Sequence, residues 1–225
     1  MAIAFDATSN GTAVATSLTV AHTCTGDNRI LYAYCHTNTS TDFDVTATYN
    51  GVAMTRVTAG FLNSDNNGRQ TNFYLIAPAT GTNNIVFTPN ASANMTSINT
   101  SYTGVNQTGQ PDASGTVSSS IAPGGTQTLT ITTVAADCWL VASAHGAGDL
   151  PNASTGFTSR GTNGNSRGGD SNAALSAGAN SMSVTNSGAG AESVSMVGIS
   201  IAPVSAPVVA SSSRTGFMSL MGVGN

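Results

Sequence analysis

Few side chains in this sequence could carry acid–base chemistry, and they are widely separated. Glu192 is the only glutamate among ten acidic residues, and the aspartates lie mostly in segments that we interpret as turns. A turn aspartate usually accepts hydrogen bonds from nearby backbone amides. Two turns can meet in space, so a glycosidase-type pair of carboxylates stays open as an alternative. The spacing favours no such pair, and we predict no catalytic residue.

Covalent catalysis has equally little support. The six basic residues are all arginines, so the chain has no lysine for a Schiff base, a phosphate-binding loop or a Ser–Lys dyad. No glycine-rich elbow or oxyanion motif accompanies a cysteine that could act as a nucleophile. We therefore expect that the protein is not an enzyme and needs no cofactor.

Zinc ligands are present but poorly spaced. His22 and Cys24 share one face of a predicted strand, whereas the neighbours Cys35 and His36 point to opposite faces. A zinc site would need a further ligand from a distant segment, such as His145. The odd number of cysteines without a CxxC pattern instead favours buried free thiols.

Calcium is the other metal for which the sequence offers candidate ligands. Residues 65–68 (Asp-Asn-Asn-Gly) supply oxygen ligands at close spacing, and the two aspartates of residues 42–44 could add carboxylates if the loops converge. Neither segment matches an EF-hand loop with its bidentate glutamate. A solvated polar loop explains both segments, so we predict no metal site.

The low charge content argues against a nucleic-acid partner, and the absence of a long apolar run argues against a membrane partner. Charged residues make up 7% of the chain and the net charge is −4, against about 25% charged residues in an average soluble protein. The scattered arginines form no basic stripe that could neutralise phosphates, so we expect no nucleic-acid partner. No apolar run approaches the ~18 residues of a membrane helix, and the first residues lack a basic signal-peptide region. We expect a protein made in the cytoplasm, without a signal peptide and without a membrane partner.

Alternation of apolar and polar residues with a period of two recurs along the chain and indicates an all-β fold. The clearest signal is Asn50-Gly51 between two alternating runs, which is typical of a type I′ hairpin. Residues 30–35 are more continuously apolar and are predicted to form a central strand. The strands fall into two halves, about 1–105 and 126–203, separated by a stretch rich in glycine, serine and proline.

Each half contains a glycine-to-asparagine turn before a strand, at residues 81–84 and 178–181, and then a long apolar strand. This similarity indicates either an internal repeat of one Greek-key unit or turn residues that commonly precede β-strands. Two such units face to face would make a jelly-roll-like β-sandwich over residues 1–203.

Residues 204–225 differ in character from the rest of the chain. A proline-containing linker and a serine-rich tether lead to an apolar cluster, Phe217, Met218, Leu220 and Met221. Three of these, Phe217, Leu220 and Met221, have the spacing of one face of a short helix. We interpret the segment as a C-terminal docking tail.

Three segments resemble a β-sandwich family found among uncharacterised structural proteins of tailed phages and surface proteins of environmental bacteria. They are residues 49–57 (YNGVAMTRV), 75–85 (LIAPATGTNNI) and 101–112 (SYTGVNQTGQPD). The resemblance covers about residues 1–203, marks fold rather than catalysis, and leaves out the tail.

A single copy without a signal peptide fits a phage particle better than a secreted adhesin. The resemblance therefore implies a virion structural protein, most simply a homo-oligomeric capsid decoration or fibre protein on the particle surface, attached to a phage capsid or tail protein. The alternative is a receptor- or carbohydrate-binding module that recognises a host-surface glycan.

Overall fold

A computed structural model describes residues 1–38, 44–57, 61–62 and 68–204 of the chain. Within these ranges the regular elements are all β-strands, and they form antiparallel sheets that pack as sandwich-like layers. The sequence-based prediction of an all-β fold of β-sandwich type is confirmed. Most of the segments 65–68 and 42–44, and the whole docking tail, lie outside the described residues.

Residues 1–105 form two sheets that we call the first unit. Its strands are β1 (Ala4–Ala15), β2 (Leu18–Cys24), β3 (Ile30–Asn38), β4 (Val45–Tyr49), β5 (Val52–Ala53), β6 (Thr55–Arg56), β7 (Phe61–Leu62), β8 (Arg69–Ile76), β9 (Gly81–Pro89) and β10 (Ala93–Thr103). The inner sheet has the order β1-β10-β3-β8-β6, with β7 also paired to β8, and the outer sheet has the order β2-β9-β4-β5.

Residues 106–204 form the second unit in the same manner. Its strands are β11 (Ala113–Ile121), β12 (Thr126–Thr133), β13 (Trp139–Gly146), β14 (Asn152–Ala153), β15 (Thr158–Asn163), β16 (Ser166–Asp170), β17 (Gly178–Thr185) and β18 (Glu192–Ile201). The inner sheet has the order β11-β18-β13-β16-β15, and the outer sheet has the order β12-β17-β14.

The two units follow the same path through their sheets. Strands β11 to β14 take the places of β1 to β4, and β16, β17 and β18 take the places of β8, β9 and β10. Local backbone features recur at matching points. Asn28 and Asp137, each two residues before its strand, have φ of 54° and 60°. Asn83 and Asn180 both donate a side-chain hydrogen bond to the carbonyl oxygen of the glycine that opens their strand.

Each unit has its own apolar core between its inner and outer sheets. The first core is built around the buried residues Leu31, Ala33, Cys35, Tyr49, Phe73, Ile85, Phe87 and Met95. The second is built around Leu129, Ile131, Leu140, Ala142, Met182, Val184, Val194 and Met196. A third cluster lies between the two inner sheets, which are therefore covered on both faces.

The molecule has four layers in the order outer, inner, inner, outer. The sequence had suggested two Greek-key halves closing one sandwich, whereas each half makes two sheets of its own.

The Asn50-Gly51 hairpin forms as predicted. Asn50 and Gly51 have φ of 49° and 75°, and a type I′ turn requires positive φ at both central residues. The strands on either side, β4 and β5, pair directly across this turn.

Two stretches form strands that the sequence analysis missed or shortened. From the sequence, the apolar residues Ile3 and Phe5 predict only a short first strand, but β1 extends to Ala15 and pairs along its length with β10. The stretch between residues 104 and 125 was predicted to interrupt the sheets, yet β11 lies inside it and pairs with β18. Both strands are rich in serine, threonine, glycine or asparagine, so their half-exposed faces lack apolar alternation.

A second difference lies near the end of the second unit. From the sequence we expect a further strand at residues 173–175, but in the structure they contribute only an isolated bridge between Leu175 and Cys138. Strands β15 and β16, which were not predicted, pair instead with each other, and β16 pairs with β13. Their glycine and arginine content conceals them, because both residue types are uncommon in strands that are identified by apolar alternation.

Gly168 of β16 marks how closely the two units approach. A Cβ atom at this position would lie 2.8 Å from Cγ2 of Ile98 in the first unit. We expect Gly168→Val to lower the free energy of unfolding by about 1–3 kcal/mol, the usual range for overpacking. Urea denaturation followed by the fluorescence of the single tryptophan measures this loss. Gly190→Val is the matched control, since no atom lies within 4 Å of a Cβ built there, and an equal loss in both variants would contradict the assignment.

Candidate functional site

The interface between the two inner sheets follows from the alternation of side chains along β3 and β13. Leu31 and Ala33 enter the core of the first unit, while Tyr32 joins the cluster that contacts the second unit. Leu140 and Val141 divide in the same way in the second unit. The strand that the sequence analysis predicted as central is buried on both faces, which explains its nearly continuous apolar character.

A network of hydrogen bonds crosses the middle of this interface. Tyr32 donates to the carbonyl oxygen of Val197 at 2.8 Å. Asn72 donates to the Tyr32 hydroxyl at 2.7 Å and to Oγ of Ser143 at 2.6 Å. Gln70 also donates to Oγ of Ser143, at 2.8 Å. Burial raises the pKa of Tyr32, so its hydroxyl stays protonated and can donate at neutral pH.

Equivalent residues of the two units form equivalent contacts in this network. Gln70 and Ser166 occupy matching positions opposite His36 and His145 in their sheets. Tyr34 of the first unit contacts Ser166 of the second unit at 2.7 Å. The equivalent pair with the units exchanged is Ser143 of the second unit and Gln70 of the first unit. The contact is therefore approximately two-fold symmetric, like an isologous dimer interface within one chain.

An ion pair closes one edge of the interface. Arg160 contacts both carboxylate oxygens of Asp170, at 2.7 and 3.0 Å, and lies 4.5 Å from the ring centroid of Phe5. Tyr102 of the first unit donates to the same carboxylate at 2.9 Å. Because Asp170 is fully buried, removing Arg160 would leave a buried charge without a counter-charge. This group holds the two units in one register.

His36 and His145 stack at the far end of the interface. Their ring centroids are 3.6 Å apart with an angle of 19° between the planes, and His145 Nδ1 is hydrogen-bonded to Ser166 Oγ at 2.9 Å. Burial lowers the pKa of His36 to about 4. Burial, together with the neighbouring His36, lowers the pKa of His145 further below its usual range. Both rings are neutral at pH 7, which allows them to stack.

The stacked rings line a polar cleft of about 260 Å³ between the units, together with Asn38, Asn94, Thr96, Asn165 and Ser166. Nearly parallel rings direct their nitrogen lone pairs side by side rather than toward one point. They are therefore poorly arranged to chelate one metal ion, and the cleft is better suited to a ligand that exchanges hydrogen bonds with amides and hydroxyls. We call this end of the molecule the histidine end.

The opposite end of the interface is apolar. Strand β13 runs from Trp139 to the histidine end, so Trp139 lies at the other end, which we call the apolar end. It contains a hollow of about 620 Å³ lined by Met1, Ala2, Ile3, Asn106, Ala135, Ala136, Asp137, Trp139, Ala174, Ala202, Pro203 and Val204. The amino group of Met1 donates to the carbonyl oxygen of Val204 at 3.3 Å. Both ends of the segment 1–204 therefore lie beside this hollow.

A separate chain of hydrogen bonds lies at the edge of the first unit. Asp6 accepts from Ser101 at 2.7 Å, Ser101 contacts His22 Nε2 at 3.0 Å, and His22 Nδ1 contacts Ser9 at 2.8 Å. Burial lowers the pKa of His22 to about 4 despite the opposing effect of Asp6. A histidine of such low basicity is a poor general base near neutral pH, and the chain of contacts ties β1, β2 and β10 together.

The structure separates the residues that zinc binding would need. Cys24, Cys35 and Cys138 are buried free thiols, as predicted. His36 meets His145 rather than a cysteine. In the described part of the chain there is no group of three His, Cys, Asp or Glu side chains that could hold a metal ion.

The histidine pair was missed by sequence reasoning, although a signal exists. The segments Leu31-Tyr32-Ala33-Tyr34-Cys35-His36 and Leu140-Val141-Ala142-Ser143-Ala144-His145 share leucine, alanine and histidine at the same offsets. An alignment of the two halves would have placed the histidines at matching positions. Their contact across the interface required the sheet order.

Comparisons with known proteins leave the family open. The chain matches no protein-family model, and no curated protein matches its sequence significantly. Within the described ranges no helix is long and apolar enough to cross a membrane.

The buried histidines make a prediction about acid stability. A histidine with a folded pKa near 4 and an unfolded pKa near 6.5 stays neutral in the folded protein while the unfolded chain takes up a proton. Stability is therefore complete above pH 6.5 and falls as the pH drops toward 4, by up to about 1.4 kcal/mol per pH unit for each histidine. We expect His36→Phe to reduce this slope by about one histidine's share. Urea denaturation at pH 7, 6 and 5 measures the slopes, and equal slopes in both proteins would contradict the prediction.

Proposed function

We propose that this protein is a structural component of a phage particle, a capsid decoration or fibre protein displayed on the particle surface. The observation that supports the proposal most is the different chemistry of the two ends. The apolar end carries the larger hollow, which Trp139 lines, and the point where the chain continues beyond Val204. The histidine end carries polar clefts. Such a molecule can attach by one end and present the other.

The outer sheets suit a displayed role. On β12, Thr126, Thr128, Thr130 and Thr132 all point to solvent. Thr128 and Thr130 exchange hydrogen bonds with serines of β17 at 3.0 and 2.8 Å. These cross-strand pairs stabilise the sheet and leave a hydrated, uncharged face, which attracts few partners by long-range electrostatics.

If the protein attaches through the apolar end, a single charge introduced there should weaken its retention on phage particles. Ala136 is exposed and lines the hollow, whereas Ala189 is exposed in the turn before β18 at the opposite end. We expect Ala136→Glu to weaken retention on phage particles stripped of the native copy, because the new charge must be desolvated on docking. Ala189→Glu adds the same charge and should bind like the unmodified protein. Equal retention of the two variants would contradict attachment by the apolar end.

The docking tail, Phe217, Met218, Leu220 and Met221, follows the apolar end in the sequence. We propose that it contacts a phage capsid or tail protein, or a neighbouring copy in a homo-oligomer. Several tails in one oligomer would strengthen attachment through effective concentration.

Deletion of residues 208–225 should leave the melting temperature of the sandwich unchanged but lower the oligomer mass in light scattering or the retention on particles. Replacing the four apolar side chains by serine should have the same effect. Replacing Val208 and Val209 by serine is the control, since it removes apolar groups from the tether only. Unchanged mass together with unchanged retention in the deletion variant would remove the docking role.

A receptor- or carbohydrate-binding module is the second candidate, and the cleft at the histidine end favours it. Asn38, Asn94 and Asn165 offer amide donors and acceptors next to the two neutral rings, which is the chemistry that recognises sugar hydroxyls. Saturable binding of the isolated protein on a glycan array would support this module. Equal copy number with the major capsid protein in purified particles would instead support decoration.

A further inference from the structure

A second polar pocket lies at the histidine end of the second unit, apart from the stacked rings. It has a volume of about 470 Å³ and is formed by the loop after β13, the turn before β18 and the end of β11. Its charged lining residues are Asp149 and Glu192, and no arginine or histidine is among the described residues that line it. The pocket therefore carries two carboxylates without a lining counter-charge.

Glu192 is held in place by the loop. Its Oε1 accepts hydrogen bonds from the backbone N–H groups of Gly148 and Asp149. The residue is only 7% exposed. Its second oxygen, Oε2, is buried and has no hydrogen-bond partner in the described part of the protein. A buried carboxylate oxygen without a partner is costly unless a cation or a donor approaches it.

The first unit shows that the fold does not require this carboxylate. The equivalent histidines His36 and His145 pair with Thr96 and Ser195, so Thr96 and Ser195 are equivalent positions in the two units. The residues three positions before Thr96 and before Ser195 are then equivalent as well. They are Ala93 in the first unit and Glu192 in the second. Ala93 is buried and packs against the first core. The same position thus accommodates a small apolar side chain, and the acid is an addition specific to the second unit.

Asp149 supplies the second carboxylate at the rim of the pocket. It is exposed, and its Oδ2 would lie 2.5 Å from a Cβ atom built on Gly188. The absence of a side chain at Gly188 therefore leaves room for this carboxylate on the side of the turn before β18. The two acids approach the pocket from different elements, one from its wall and one from its rim.

We propose that this pocket binds a calcium ion through Glu192 Oε2 and the carboxylate of Asp149. Calcium accepts oxygen ligands in irregular geometry and retains water, whereas magnesium demands near-ideal octahedral coordination. A site with two protein carboxylates and room for water suits calcium. Two carboxylates give modest affinity, with a dissociation constant on the order of 10⁻⁴–10⁻³ M, as in extracellular calcium modules. The sequence-based expectation had considered calcium only at other acidic segments, residues 42–44 and 65–68.

Isothermal titration of the full chain with calcium chloride, after removal of metals with a chelator, tests the proposal. We expect saturable binding of one ion and a higher melting temperature in millimolar calcium. Magnesium at the same ionic strength should bind at least ten-fold more weakly. No saturable heat up to 10 mM calcium, or equal affinity for magnesium, would overturn the assignment of a calcium site.

Two variants locate the ion. Glu192→Gln keeps an acceptor for the two amide N–H groups and removes the charge, so calcium affinity should fall at least ten-fold. Asp149→Asn changes an exposed residue and should also weaken binding, which keeps the test valid if Glu192→Gln folds poorly. Asp137→Asn removes one negative charge at the apolar end and should bind calcium like the unmodified protein. Affinity that is unchanged in Asp149→Asn, or reduced equally in Asp137→Asn, would show that calcium does not bind in this pocket.

Discussion

The polar contact between the two inner sheets is the constraint on which the rest of the structure depends. A sheet covered on both faces has no solvent side on which to place polar side chains, so each buried polar group needs a hydrogen-bond partner within the protein. The donor groups of Tyr32, Asn72 and Gln70 meet this requirement through Ser143, one another and a backbone carbonyl, although Oδ1 of Asn72 has no hydrogen-bond partner in the described part of the protein. Unlike an apolar contact, which tolerates sliding, this network is satisfied in one register only.

That register also creates the two chemically different ends. Strands β3 and β13 run in the same direction on either side of the interface, so matching residues lie at matching heights. Ile30 and Trp139 open the strands at the apolar end, and His36 and His145 stack near their other end. A two-fold relation parallel to the strands therefore gathers apolar residues at one end and polar residues at the other. The proposed attachment and display follow from this geometry rather than from any single residue.

The sequence predicted those parts of the fold whose local signals agree with their environment. The Asn50-Gly51 turn and the continuous apolar strand β3 were both recognised, because turn chemistry and burial decide them locally. Strand β1 was mostly missed, since its polar side chains resemble a loop and only pairing with β10 makes it a strand. The stacked histidines and the pocket at Glu192 could not be predicted, because both depend on elements that are distant in sequence.

The comparison of the two units separates structural from functional residues without any related sequence. Positions at which both units keep the same residue, such as the paired histidines and the asparagines that open β9 and β17, serve the common architecture. Positions at which they differ carry what is specific to one unit. Glu192 replaces the buried Ala93 at the cost of an unpaired carboxylate oxygen, although its other oxygen accepts hydrogen bonds from the loop after β13. Local rules are broken in this way most often where a ligand restores the balance, which supports the calcium site proposed at the histidine end of the second unit.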